Sequence, residues 1–258
     1  MYIKYKKKQK YKKKNKSLLK ISFCTTCMGR LHHLKKTLPE NLSNSKKYQN
    51  SEFIVLDYNS SDGLEEWMKD NMMQEINNGR VVYYKTFEHK YFKMSHSKNM
   101  AHRLATGDVL FNLDADTFIN NKICGYINEE LKDELLIFRH SGSVCLLSKF
   151  FHKVRGYEEK MIGWGQDDKD LYWRCINFLD MHDGGFFEGM TEKMGHKRVE
   201  TVAQFDPEFK SLGRTRRYNR RITRSRTEES WRDVNKNGYG CGIVYKNFSN
   251  KPIYLSEN

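Results

Sequence analysis

Val109-Leu110-Phe111-Asn112-Leu113-Asp114-Ala115-Asp116 is an apolar run that stops at two carboxylates. It is too short for a helix of ordinary length. It is apolar at both alternations, as expected of a strand buried on both faces of a parallel sheet. Upstream, Ser95 is placed to cap a helix with Met100, Ala101, Leu104 and Ala105 on one face, ended by Gly107. The same grammar recurs earlier. Leu18 to Cys24 reads as a strand and Thr25 to Gly29 as a loop, followed by a helix with Leu31, Leu34 and Leu38 that ends near Pro39. Ser51 to Leu56 is a strand stopped by the turn-rich Asp57 to Gly63; Leu64 to Met72 is helical, and Val81 to Tyr84 is a strand. Strands alternating with helices predict an α/β fold with a mostly parallel central sheet and helices on both faces.

In such sheets ligands bind beyond the carboxyl ends of the strands. Thr25-Thr26, Asp57 and the pair Asp114/Asp116 occupy three of those ends. At strand spacing Asp114 and Asp116 face the same side. Two carboxylates held together favour a hard divalent cation, Mn²⁺ or Mg²⁺, which also bridges diphosphate oxygens. The chain has no GxGxxG and no GxxxxGK[ST], so neither a dinucleotide fingerprint nor a P-loop is supported.

A second signal is Gly163-Trp164-Gly165-Gln166-Asp167-Asp168. Glycines flank a tryptophan, and two acids open a helix that continues through Leu171, Cys175, Phe178 and Leu179. Acids at a helix N-terminus complement its dipole. An indole face also suits the C–H surface of a sugar, and a carboxylate can accept a hydroxyl proton.

The charge is uneven. The net +14 includes ten lysines in residues 1–20 and eight basic residues in 209–226; without those two segments the remainder carries −4. Residues 1–17 read as a disordered basic arm, and residues 1–20 are suited to peripheral contact with an anionic membrane or polymer. The Arg-rich segment is open to several readings: a mobile loop over a diphosphate, a site for an anionic acceptor or acidic lipid, a nucleic-acid contact, or a solvated basic helix. A nucleic-acid or polyanion-binding module is the alternative to an enzyme, and the acidic remainder speaks against it. No apolar run is long enough for a membrane span or a signal peptide, which predicts a cytoplasmic protein with reduced thiols. Cys24 and Cys27 form a CxxC without a second pair and read as strand residues.

Together, Ile21–Arg30, the strand ending at Asp57, Ser95–Asn99 and Asp114–Asp116 resemble the nucleotide-binding half of a GT-A (Rossmann-like) glycosyltransferase of the family 2 type. The Gly163–Asp168 segment resembles the GWGxED motif of the galactosyltransferase C-terminal region. The resemblance implies one domain over 18–258: a nucleotide-binding half at 18–117, an acceptor and catalytic half at 118–205, and an extension at 206–258. It further implies a UDP-sugar donor, a glycan or other hydroxyl acceptor, and transfer of a hexose or hexosamine with inversion. Thr26 and Asp57 match uridine contacts, and Asp114 a ribose contact. Asp116 and His196 match metal ligands. Lys93, Lys98 and Asn99 match phosphate or base contacts, Trp164 and Asp167 sugar contacts, and Asp168 the catalytic base. Two departures stand out: Asp167 replaces the more usual Glu, and Lys169 replaces what is often a third acid.

Overall fold

Alternating large side chains in the central strands sort themselves onto two faces, and each face collects its own helices. The computed structural model describes residues 17–131, 136–140 and 143–256, apart from the side chains of His140 and Arg198. The basic arm expected over 1–17 lies outside these residues except for Ser17, as does most of the contact segment 1–20.

In chain order the elements are β1 (Ile21–Cys27), α1 (Leu31–Ser45), β2 (Ser51–Tyr58), α2 (Leu64–Asn71), α3 (Met73–Asn77), β3 (Val81–Thr86), α4 (Met94–Leu104), β4 (Val109–Asn112), β5 (Thr117–Ile119), α5 (Ile123–Glu130) and β6 (Leu136–His140). They continue as β7 (Ser143–Leu147), α6 (Ser148–Lys153), α7 (Asp167–Phe178), β8 (His182–Phe186), β9 (Thr191–Lys193), α8 (Arg198–Thr201), α9 (Leu212–Arg224), β10 (Gly242–Lys246) and β11 (Pro252–Leu255). Among the described residues the main sheet runs β11-β10-β3-β2-β1-β4-β7-β6-β8. Its centre, β3-β2-β1-β4, is parallel; only β7 and β10 run against the rest.

On one face Phe23 stacks on Phe53 at 4.8 Å and meets Phe111 at 5.4 Å, under Leu34 and Leu38 of α1, Leu64 and Met68 of α2 and Ile123 and Ile127 of α5. On the other, Cys24, Ile54, Leu56 and Leu110 pack against Met100 and Leu104 of α4, Phe151 of α6 and Leu171 and Cys175 of α7. The expected sheet with helices on both faces is present. Cys24 and Cys27 belong to opposite faces, so that pair cannot share a ligand.

Three local expectations change. Strand β1 runs on to Cys27, so Thr25 and Thr26 are strand residues and not part of the loop. Helix α1 does not end at Pro39 but runs through it to Ser45. Tertiary bonds outweigh the lost N–H: Asn41 Nδ2 donates to Thr117 O (2.9 Å), Asn41 Oδ1 accepts from Ile119 N (2.8 Å), and Asn44 Nδ2 donates to Ile119 O (2.9 Å). Ser95 does not cap α4; Lys93 holds the cap position, and Ser95 is buried inside the first turn.

The order of the parallel strands reverses between β1 and β4, which is where a crevice opens at the carboxyl ends of such a sheet. Cys24 pairs with Asn112, Leu113 N donates to Cys24 O (2.9 Å), and Thr25 Oγ1 donates to Leu113 O (2.7 Å). This register delivers Thr26, Asp114 and Asp116 to one end of the sheet.

Asn41→Ala leaves two buried backbone groups of β5 unpaired and should destabilise the fold by about 1–3 kcal/mol. Urea unfolding is expected to show a lower midpoint at an unchanged slope.

Candidate active site

The crevice is a cleft of about 640 Å³. Thr26, Asp114 and Asp116 line its sheet side; Lys98, Trp164, Asp167 and Asp168 line the facing wall; Lys193 and His196 line a third side. Eight of the eleven residues expected to form a site thus meet in one cavity.

The short β5–β9 ladder explains the third side. It pairs Thr117 with Lys193, and Met194 N donates to Asp116 O (2.8 Å). This lays Lys193 and His196 over the two aspartates. Lys193 Nζ bonds Asp114 Oδ2 at 2.7 Å, and Asn112 Nδ2 bonds Asp114 Oδ1 at 3.0 Å. Burial alone would raise the Asp114 carboxyl, but Lys193 and Lys98 hold it down at about 2. His196 Nδ1 lies 3.2 Å from Asp116 Oδ2. A carboxylate and an imidazole at this spacing, both facing a cleft, form a donor set suited to Mn²⁺ or Mg²⁺. Another potential donor group, His32, His33 and Glu200, has its ligand atoms within 4.8 Å of one another. Its carboxylate already faces a cation: Glu200 Oε2 stands 3.6 Å from Arg30 Nη1 and 3.3 Å from His32 Nε2. Burial, then the charges of His32 and Arg30, push His33 down to about 4.

The facing wall begins with backbone strain. Gly163 (φ 56°), Gly165 (φ 92°) and Gln166 (φ 79°) all take left-handed conformations. A Cβ on Gly163 would lie 2.7 Å from Thr215 Cγ2 and 2.8 Å from Phe209 O, so the loop needs glycine to seat against α9. Asn219 fastens it from the other side, donating to Ile162 O (2.9 Å) and Gly165 O (2.8 Å) and accepting from Ile162 N (3.0 Å). Helix α7 then starts with Asp167 and Asp168.

Lys98 Nζ is buried between these acids, 2.6 Å from Asp167 Oδ2 and 2.9 Å from Asp168 Oδ1. Burial opposes its charge, yet the two carboxylates hold the ammonium's pKa well above the ordinary value. Asp168 moves upward: burial and then the charge of Asp167 raise it, while Lys98 pulls the other way. Asp114 also raises it, so the two carboxylates feel one another across the cleft.

The other three expected residues do not line the cleft. Asp57 closes β2 rather than opening a turn and is fully buried; Tyr83 Oη donates to it at 2.7 Å, Ser60 N at 2.7 Å, and Lys85 Nζ stands 3.7 Å away. Its carboxyl is raised, chiefly by burial. Asn99 is buried as a clip on the loop before Gly163: its Nδ2 donates to Tyr157 O and Glu159 Oε1, each at 2.8 Å, and its Oδ1 accepts from Tyr157 N at 2.7 Å. Lys93 is exposed at the start of α4.

The sequence reading missed Lys193, which lines the cleft, and left open the role of the Arg-rich segment, whose Arg216 and Arg220 line it too. The Arg-rich segment is helix α9, not a loop, and its Arg216 guanidinium lies 4.5 Å from the centre of the Trp164 ring. The i,i+4 spacing of Arg216 and Arg220 within a helix-compatible stretch was the available signal.

The sequence profile of glycosyl transferase family 2 matches residues 22–138, and that described as the N-terminal domain of galactosyltransferase matches 138–182. The chain is a family 2-like glycosyltransferase of the GT-A type. No curated protein matches it by sequence. Among solved structures it is similar to mannosyltransferase PcManGT from Pyrobaculum calidifontis, in complex with GDP-Man and Mn²⁺, with 12% identity, a TM-score of 0.60 and coverage of 80% of this chain and 71% of that one. It is also similar to S. aureus TarS 1–349 in complex with UDP-GlcNAc (10% identity, TM-score 0.58, 83% and 70% covered). A further match is GalNAc-T7 with UDP, GalNAc and Mn²⁺ (13%, 0.56, 85% and 57%). At these identities the likeness is one of fold. This glycosyltransferase therefore carries its acids and bases on a shared scaffold, with particulars set by its own loops.

Lys98→Met leaves Asp167 and Asp168 buried without a counter-charge and should cost about 3–5 kcal/mol. A buried acid with a raised folded pKa binds more protons folded than unfolded, so its contribution to stability falls as pH rises. The variant's urea midpoint is therefore expected to drop more steeply than the wild type's between about pH 5 and about pH 8.

Proposed function

We propose that this glycosyltransferase moves a hexose or hexosamine from a UDP-sugar to an acceptor hydroxyl, with inversion and with a divalent cation. The observation that carries the reading is the meeting of Asp168 with Asp114, Asp116 and His196 in one cleft. A base on one wall faces a diphosphate-type donor set on another. The GT-A assignment supports a nucleotide-sugar donor, and neighbours solved with UDP or UDP-GlcNAc favour uridine over the guanosine of PcManGT's ligand.

In this reading Thr26 and Asp114 hold the nucleoside side of the donor at the β1–β4 crevice. Asp116 and His196 would hold Mn²⁺ or Mg²⁺, which as a Lewis acid stabilises the charge of the departing diphosphate. Lys193, fixed by Asp114, adds a cation beside the same oxygens. Trp164 and Asp167 orient the sugars. Asp168 takes the proton of the acceptor hydroxyl while its oxygen attacks the anomeric carbon and the bond to the diphosphate breaks. A displacement from the face opposite the leaving group inverts that carbon. Asp57 and Asn99, matched to donor contacts by resemblance, act here by supporting the strand end and the Gly163 loop.

Asp168→Asn should reduce transfer at least about a hundredfold, the usual scale of general-base catalysis, with UDP affinity little changed. UDP release from a panel of UDP-sugars with Mn²⁺, paired with calorimetric UDP binding, reads both; loss of UDP binding would instead make Asp168 a structural residue. With the base raised in pKa, transfer should increase as pH rises from the ordinary carboxylate range toward the alkaline side. A rate that falls over that interval contradicts the assignment.

A further inference from the structure

Helix α9 carries six of the seven arginines of the Arg-rich segment, and the seventh is used internally. Arg226, just past its end, bonds Glu158 at 2.6 Å and Asp170 at 3.1 Å and ties the helix to the buried Asp170–Arg174 pair. The other six, Arg214, Arg216, Arg217, Arg220, Arg221 and Arg224, are exposed. Among the described residues none of the six has a carboxylate within ion-pair distance. They are not scattered. At about 100° per residue they fill one continuous arc of about 160° beside the buried Thr215–Asn219 stripe. The arc holds three like-charged i,i+4 pairs, 216/220, 217/221 and 220/224, each of which weakens a helix. The helix is nonetheless fixed in register by Asn219 and Thr215 against the very loop that presents Trp164 and Asp168. One edge of the arc, Arg216 and Arg220, opens into the cleft on the base's wall, and the remainder leads outward from it.

We infer that α9 is the binding track for a polyanionic acceptor, an oligomer with a carboxylate or phosphate on successive units, whose reacting hydroxyl it feeds toward Asp168. The inference rests on the glycosyltransferase reading above. The track begins on the wall of the proton acceptor and not at the Asp116–His196 pair, which assigns it to acceptor rather than donor. Guanidinium forks suit either acid group, and repeated spacing suits a chain rather than a single anion. Outside this strip and the lysine-rich residues 1–20, the rest of the chain carries net negative charge.

The test is calorimetric binding to the full chain with UDP and Mn²⁺ present, using four probes: oligogalacturonate, a poly(glycerol phosphate) oligomer and oligo(U) of matched charge, and neutral maltohexaose. At least one of the first two should bind in a salt-sensitive manner and more tightly than maltohexaose, and which of them does so identifies the acid. The combined Arg217→Gln, Arg221→Gln and Arg224→Gln variant should weaken that binding about tenfold or more, while the combined Lys35→Gln, Lys36→Gln and Lys47→Gln variant, on exposed lysines far along the chain, should not. Binding should also perturb tryptophan emission, and the change should vanish in Trp164→Phe. Anionic oligomers no tighter than maltohexaose, with UDP still bound, overturn the track. Oligo(U) binding as tightly as the other polyanions makes the helix a nucleic-acid surface, and binding without a Trp164 signal makes it a surface unrelated to the cleft; either overturns the proposal. Failure of UDP itself to bind defeats the donor reading and the acceptor role with it.

Discussion

The ammonium of Lys98, wedged between Asp167 and Asp168, is the interaction on which the site depends. Two carboxylates at the head of α7, within electrostatic reach of a third just past β4, would repel one another in a buried setting. One lysine from α4 offsets that repulsion and fixes where α7 begins. Asn99, next along α4, grips the backbone at Tyr157, so the same helix also places the loop leading into Gly163. The far wall of the cleft is thus hung from two consecutive residues of a helix that packs on the sheet through Met100 and Leu104. Burial and the charge of Asp167 keep Asp168 raised in pKa against the pull of Lys98, which suits the general-base role proposed for it.

Charge in this molecule is organised by location rather than by total. The cleft holds carboxylates matched to cations from its own chain, Lys193 on Asp114 and Lys98 on Asp167 and Asp168. Six arginines of α9, by contrast, have no carboxylate within ion-pair distance among the described residues. A nucleotide diphosphate in the cleft would meet opposite charge in a cation held by Asp116 and His196 and in Lys193, and an acidic acceptor would meet it in the arginines of α9.

What could be read in the sequence was local. Apolar strands announce themselves by pattern, and a polar strand end in a parallel sheet points outward to a crevice, so Thr26, Asp114 and Asp116 were placed by period and position alone. The GWG turn was legible because three left-handed residues in four need glycine at most of them. What escaped depended on partners distant in the chain. Asp57 sits at a strand end like the others, but Tyr83 and Ser60 turn it inward, and no periodicity reports that. Pro39 usually stops a helix; here Asn41 and Asn44 bind a strand some 75 residues away and carry the helix past it. Lys193 reaches Asp114 only because β9 folds back on β5. Arg216 and Arg220 reach the cleft only because Asn219 docks their helix on the tryptophan loop.

The central claim is that the cleft takes a cation and a uridine diphosphate together, at Asp116 and His196. Titration of Mn²⁺ followed by the free-ion electron paramagnetic resonance signal measures this directly. The account predicts weak uptake by the protein alone, strong uptake of one ion per chain when UDP is added, and loss of that UDP-dependent uptake in Asp116→Asn and His196→Ala. Mn²⁺ uptake that is indifferent to UDP, or that survives both substitutions, would contradict it.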